Sequence, residues 1–207
     1  MGLRDPTHLY EGEISPRTES IANLFSVVGQ PIFIPIPVFI LLSTKVSDPA
    51  KMAVLILVSL LFVTVIPTVG TYYFSMKLGR KDGDILDRRQ RFPPMFIGIL
   101  SYSVGTVSLY LLEAPTVMTV LMLCYAIVTT IMTIITFYWK ISIHSVGVVG
   151  PSMALAFAFW PWGLLYFLLL PPIAWSRYVL RRHTPAQLIA GAAVGFVITG
   201  LMFLWLL

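Results

Sequence analysis

Residues 146–175 read VGVVGPSMALAFAFWPWGLLYFLLLPPIAW, a run without a charge. A single membrane span takes roughly 20 helical residues. This run is too long for one, and Pro161 and Gly163 place a turn signal in its middle. It predicts two short helices, 146–160 and 164–175, folded as a hairpin. The choice decides the topology. As a hairpin, the run returns the polar segment 176–183 to the face that carries segments 77–94 and 140–145 and the N-terminus. As one span, it sends that segment to the opposite face.

Further spans are expected on either side. The first covers 21–42 and contains Pro31, Pro35 and Pro37, which should kink or break it near its start. The next are 52–73 and 95–112. Glu113, Ala114 and Pro115 form a tight turn into 116–139. The last helix begins at Pro185 with Thr184 as its N-cap and runs to residue 207. The expected fold is all-α integral membrane, a polytopic bundle of six to seven membrane segments. Residues 1–20 form a polar N-terminal segment and 21–207 a single transmembrane helical domain.

Composition supports a bilayer as solvent. The chain is 57% hydrophobic and 11% charged, with mean hydropathy +0.87. Soluble domains carry about 25% charged residues. The apolar runs lack the apolar/polar alternation of a barrel strand, so they read as helices. The one cysteine, Cys124, has no intrachain partner for a disulfide. The polar N-terminus lacks the apolar region of a signal peptide. A net charge of +5 carried in loops points to membrane lipid as partner rather than nucleic acid.

The candidate chemistry gathers on one face. His144 and His183 sit in polar segments with Lys81, Arg88, Arg91, Lys140, Arg177, Arg181 and Arg182, while His8 lies in the N-terminal tail. Arginine presents planar, paired donors that match phosphate oxygens. Histidine serves as nucleophile or general acid near neutral pH. Together they suggest phosphoryl transfer without a metal.

Ser176, Arg177 and His183 stand in the spacing SRxxxxxH, which resembles the third signature, SRxxxxxHxxxD, of the type 2 phosphatidic acid phosphatase superfamily. Ser142 and His144 in Ile141-Ser142-Ile143-His144 resemble an eroded second signature, PSGH. Lys81 and Arg88 keep the spacing of the first, KxxxxxxRP, with Arg89 in place of the proline. Arg91, followed by Pro93 and Pro94, is the rival for the motif arginine. Gln187 stands where the superfamily has aspartate, and HTPAQ at 183–187 is similar to divergent members.

The resemblance implies a lipid phosphatase-like core and hydrolysis of a lipid or polyisoprenoid phosphate ester, with no cofactor. His183 would attack phosphorus to give a phosphohistidine. His144 would protonate the leaving alcohol and then activate water, and Gln187 would orient the His183 ring. Lys81, Arg88 or Arg91, Ser142 and Arg177 would hold the phosphate. The expected setting is the cell membrane, multi-pass. The positive-inside rule makes the motif face cytoplasmic, whereas relatives commonly face outward.

Alternatives stand beside each assignment. The same histidines serve a lipid phosphotransferase, and a catalytically inactive relative would bind or transport lipid phosphates. Arg181 and Arg182 read as interfacial cations meeting lipid head groups. Gln187 fits a capping box with Thr184. Asp82, Asp84 and Asp87 could hold magnesium, but read as partners of Arg88, Arg89 and Arg91 or as caps. Gly191 and Gly195 form a GxxxG suited to close helix packing.

Overall fold

The computed structural model describes residues 3–79 and 87–207; Lys81, Asp82 and Asp84 lie outside them. The described residues are helical, without strands. Among the described residues, four helices are long and apolar enough to cross a membrane: Pro49–Lys77, Arg88–Leu111, Thr116–Tyr138 and Pro185–Leu206. The protein is thus a helical membrane protein. The expected count of six to seven segments is larger than this, because the remaining helices are too short to qualify by length.

The prolines explain the first shortfall. The span expected over 21–42 is two helices, α1 (Pro16–Val28) and α2 (Pro35–Ser43). Pro31 and Pro35 lack the N–H that would continue the ladder. Carbonyls between the helices find side-chain partners instead: Thr64 donates to Ile32 O at 3.1 Å and Tyr166 to Ile34 O at 2.7 Å. Irregular backbone is tolerated at membrane depth only when it is satisfied in this way.

Next come α3 (Pro49–Leu60) and α4 (Ile66–Lys77), joined by one wider π turn, Leu61–Val65. Pro67 cannot donate to the Val63 carbonyl, and the ladder slips there. Ser101 Oγ donates to Phe62 O at 2.6 Å across to α5 (Phe92–Leu111). A 3-10 turn, Arg88–Arg91, leads into α5. The turn after α5 holds Glu113 at φ 51° and opens into α6 (Thr116–Tyr138).

The hairpin exists, with a different second leg. Its first leg is α7 (Ile143–Ala158), which at 1.5 Å per residue reaches only about 24 Å. The second is a 3-10 stretch, Trp162–Leu169, continuing into α8 (Leu170–Val179), in place of the helix expected over 164–175. Gly163 makes the turn possible, since a Cβ there would lie 2.0 Å from Leu155 O. The chain closes with α9 (Pro185–Leu206), started by Pro185 and capped by Thr184.

Packing fixes which ends meet. α9 lies against α7 through the GxxxG glycines: a Cβ on Gly191 would come within 2.4 Å of Ser142 O, and one on Gly195 within 3.0 Å of Val146. Small residues let helices approach this closely where lipid offers no hydrophobic drive. Exposed Leu57, Leu61, Val65 and Val69 run along α3–α4, and Phe96, Leu100, Val104 and Val107 along α5. Such apolar stripes suit lipid contact. Exposed Tyr73, Tyr138 and Trp175 lie toward one end, and Tyr110, Trp160, Trp162 and Trp205 toward the other, like the aromatic belts of an interface. The first end also holds the starts of α5, α7 and α9.

Candidate functional site

At that end a cavity of about 290 Å³ opens between the helices. Its polar wall includes Arg91, His144, Arg177, Arg182 and His183. Deeper, the wall turns apolar through Pro94, Met95, Leu121 and Val128. The hairpin is what brings the third polar segment to the same cavity as His144.

The local fold of residues 177–183 aims two of these groups. α8 ends in a left-handed turn at Arg181, φ 57°. The Arg177 carbonyl accepts from the backbone N–H groups of Arg182 at 2.9 Å and His183 at 3.2 Å. This reversal carries His183 back beside the last turn of α8, so Arg177 and His183 line one wall. A left-handed conformation costs an ordinary residue roughly 1–2 kcal/mol. The Arg181 guanidinium compensates by donating to Tyr10 O and Gly12 O, each at 3.1 Å. Arg181, expected to meet lipid head groups, instead ties down the N-terminal segment.

His183 is 1% exposed, and its Nδ1 lies 3.0 Å from Gln187 Oε1. Burial holds its pKa well below the ordinary histidine range, and the positive charges of Arg177, Arg91 and Lys140 push the same way. The Gln187 hydrogen bond opposes them. The imidazole is therefore neutral at neutral pH, the form in which a ring nitrogen keeps a lone pair. Arg177 is buried and donates to Ser26 Oγ at 2.7 Å.

The two rival arginines part company. Arg91 is buried and lines the cavity. Arg88 donates to Thr136 O at 3.0 Å and to Phe137 O, closing the end of α6, and is not part of the cavity wall. A cation there suits the negative pole of a helix C-terminus. Ser142, expected on the phosphate, is fully buried as the N-cap of α7, accepting from Ser145 N at 3.3 Å, and also lies outside the wall. Neither side chain lines the cavity: a helix end has claimed each. Lys140 is likewise outside the wall. Asp87 caps the 3-10 turn, accepting from Arg89 N at 2.9 Å.

Gln187 fills both roles left open for it. The capping box is formed, with Gln187 N donating to Thr184 Oγ1 at 3.3 Å and Thr184 N to Gln187 Oε1 at 3.4 Å. The same Oε1 faces His183.

Sequence reasoning missed four residues. Asn23, Ser26 and Gln30 of the α1 region line the cavity, and their i, i+3, i+7 spacing is a helical face that the pattern contains. Asp5 was missed entirely. It accepts from Gln187 Nε2 at 2.9 Å, Thr184 Oγ1 at 2.8 Å and Trp139 Nε1 at 3.2 Å. Among the described residues no group of three or more His, Cys, Asp or Glu gathers as a metal site. No family model, curated protein or solved structure matches this chain.

Proposed function

We propose that this protein hydrolyses a phosphate ester carried on a lipid or polyisoprenoid, through a phosphohistidine at His183. The supporting observation is one cavity whose polar wall holds His183, His144, Arg177 and Arg91 and whose depth is apolar. A phosphate at the rim and a hydrocarbon tail below match that division. On this reading α1–α2 and α7 with the following 3-10 stretch and α8 complete the six to seven segments of a lipid phosphatase-like core in the cell membrane.

The steps follow from the groups present. The His183 Nε2 lone pair forms a bond to phosphorus as the bond to the lipid oxygen breaks. His144, protonated, gives its proton to that oxygen, and the alcohol leaves. Water then attacks the phosphohistidine, its proton passes to His144, and the N–P bond breaks to release phosphate. Arg91, Arg177 and Arg182 surround the charge that develops on the phosphoryl oxygens. Fixed positive charge of this kind does most to lower the barrier in phosphoryl transfer.

The test is release of inorganic phosphate by purified protein in detergent, with EDTA present, from phosphatidic acid, a polyprenyl phosphate and a polyprenyl diphosphate. Release from at least one, inhibited by vanadate, is expected. His183→Ala should abolish both turnover and trapped phosphoenzyme. His144→Ala should slow turnover by on the order of 10²–10⁴-fold, the usual worth of general acid help. Full activity in His183→Ala overturns the assignment. A new phosphorylated lipid in place of free phosphate makes the protein a transferase.

A further inference from the structure

The N-terminal segment crosses the end of the bundle that holds the cavity. Leu3 N donates to Tyr138 O at 3.1 Å, Ala186 N to Thr7 Oγ1 at 3.2 Å, and Arg181 to Tyr10 O and Gly12 O. This strap carries Asp5 to the back of Gln187. We propose that Asp5 is a positioning residue for His183, acting through the Gln187 amide in a relay Asp5–Gln187–His183. The inference rests on His183 being the nucleophile proposed above.

Donor and acceptor chemistry sets the direction of the relay. Asp5 Oδ1 accepts from Thr7 N at 2.9 Å and Thr7 Oγ1 at 2.8 Å, while Oδ2 takes the Gln187, Thr184 and Trp139 donors. A backbone N–H, an indole N–H and an amide NH₂ can only donate. Thr7 Oγ1 and Thr184 Oγ1 already accept the backbone N–H groups of Ala186 and Gln187, so both hydroxyls turn their protons to the carboxylate, which stays ionised. Although burial alone would raise its pKa, the hydrogen bonds from Thr7, Thr184 and Gln187 outweigh it and hold the carboxyl below its ordinary value. An ionised carboxylate accepts only, so the NH₂ end of Gln187 must face it. The carbonyl end must then face His183, and the Thr184 backbone N–H adds a second donor to it.

A carbonyl oxygen accepts only, so His183 Nδ1 must carry the proton. Nε2 keeps its lone pair. Flip the amide, and Nδ1 becomes the acceptor, the proton moves to Nε2, and the nucleophile is blocked. Asp5 therefore selects the reactive tautomer from two bonds away. Its charge also faces the aligned amide dipole, which favours the positive ring formed when Nε2 bonds to phosphorus. The Nδ1 proton stays in place through both steps. The arrangement further accounts for a neutral residue at 187: a carboxylate there would stand against Asp5.

Two measurements test the relay. The first is independent of activity: the ¹⁵N signals of ring-labelled histidine in detergent-solubilised full-length protein at neutral pH, with His183 assigned from His183→Ala. The wild type should show His183 protonated at Nδ1. Asp5→Ala should give a mixture of tautomers. A wild-type His183 protonated at Nε2, or a tautomer unmoved by Asp5→Ala, overturns the relay. The second is turnover of whichever lipid phosphate the wild type hydrolyses. Asp5→Asn keeps the shape, but its NH₂ faces either Thr7 N–H or the Gln187 NH₂. It should lower kcat by about 10–100-fold with KM little changed, less than the ~10⁴ seen when a carboxylate touching a catalytic histidine is lost. Gln187→Glu alone sets two carboxylates together and should be as poor. Asp5→Asn combined with Gln187→Glu moves the charge one position inward and should recover most of the loss, which a merely structural role does not predict. A double variant no better than either single one counts against the relay. Activity in His183→Ala would remove the phosphatase reading instead, leaving the tautomer result to judge the relay.

Discussion

The two ends of the helix bundle handle charge in opposite ways. At the end away from the cavity, Lys51 and Glu113 approach to 3.8 Å with the glutamate largely exposed, and Lys45 sits 4.8 Å over the Phe159 ring. These charges stay in contact with the surroundings. At the cavity end, Arg91 and Arg177 are buried. Burying cations is costly unless they meet partners, and within a membrane protein such groups mark function. The cavity-end arginines also divide among themselves. Arg88 and Arg181 are tied to backbone carbonyls, whereas Arg91, Arg177 and Arg182 line the cavity. The first set is bound to the backbone of the scaffold; the second contributes to the cavity wall, where the proposed reading puts a phosphate.

The largest expected effect breaks that division directly. Arg177→Lys keeps a positive charge but loses the planar fork, so kcat/KM should fall by on the order of 100-fold or more, with Arg91→Ala comparable. Arg88→Ala should leave kcat within a few-fold and act on stability, since it loses hydrogen bonds to the end of α6 worth about 0.5–1.5 kcal/mol each. Steady-state kinetics and thermal unfolding in one detergent separate the two. Equal kinetic losses in Arg88→Ala and Arg91→Ala would erase the distinction.

A second effect follows from the protonation of His183. Arg177, Arg91, Lys140, Arg182, His144 and the Asp5–Gln187 pair surround it. Its folded pKa is depressed, so the unfolded chain binds the proton first as pH falls. Stability is full above the unfolded value near 6.5 and is lost as pH drops below it, at up to about 1.4 kcal/mol per pH unit. Thermal midpoints should decline on acidification, and His183→Gln should flatten that decline. Asp5, also depressed, gives stability that is full above the ordinary carboxylate value and is lost only as pH falls below it, so it adds nothing to the decline near neutral pH.

The two ends also differ in how far the sequence revealed them. The turn at Glu113–Pro115, the hairpin signal at Pro161–Gly163 and the Thr184 cap are local patterns, and each marks a turn or helix start in the structure. The SRxxxxxH spacing likewise reports neighbours in the chain, and Arg177 and His183 share a wall. Local patterns put Ser142 on the phosphate and left Arg88 and Arg91 tied; a helix end or a cavity can claim such a side chain, and only packing decides which. Asp5 was out of reach in principle. It lies 182 residues from Gln187, and no periodicity encodes a contact made by a strap folded across the bundle. The break between α1 and α2 was visible in the prolines, but its length depended on Thr64 and Tyr166 supplying partners from distant helices.

The smallest effect compares two residues that share one backbone state. Among the described residues, Glu113 and Arg181 are the non-glycine positions with positive φ, 51° and 57°, one at each end of the bundle. Glycine relieves left-handed strain of roughly 1–2 kcal/mol, against about 0.5–1 kcal/mol of added chain entropy. For Glu113→Gly the side chain lost is an exposed partner in a pair worth ~0–1 kcal/mol. Stability should therefore shift by no more than about 1.5 kcal/mol, and activity not at all. Arg181→Gly gains the same relief but gives up both hydrogen bonds to the strap. Its thermal midpoint should change little, while kcat falls by a few-fold as Asp5 loses its hold on Gln187. Were the two variants indistinguishable in rate, the strap would be decoration on the bundle and its link to His183 would have to be given up.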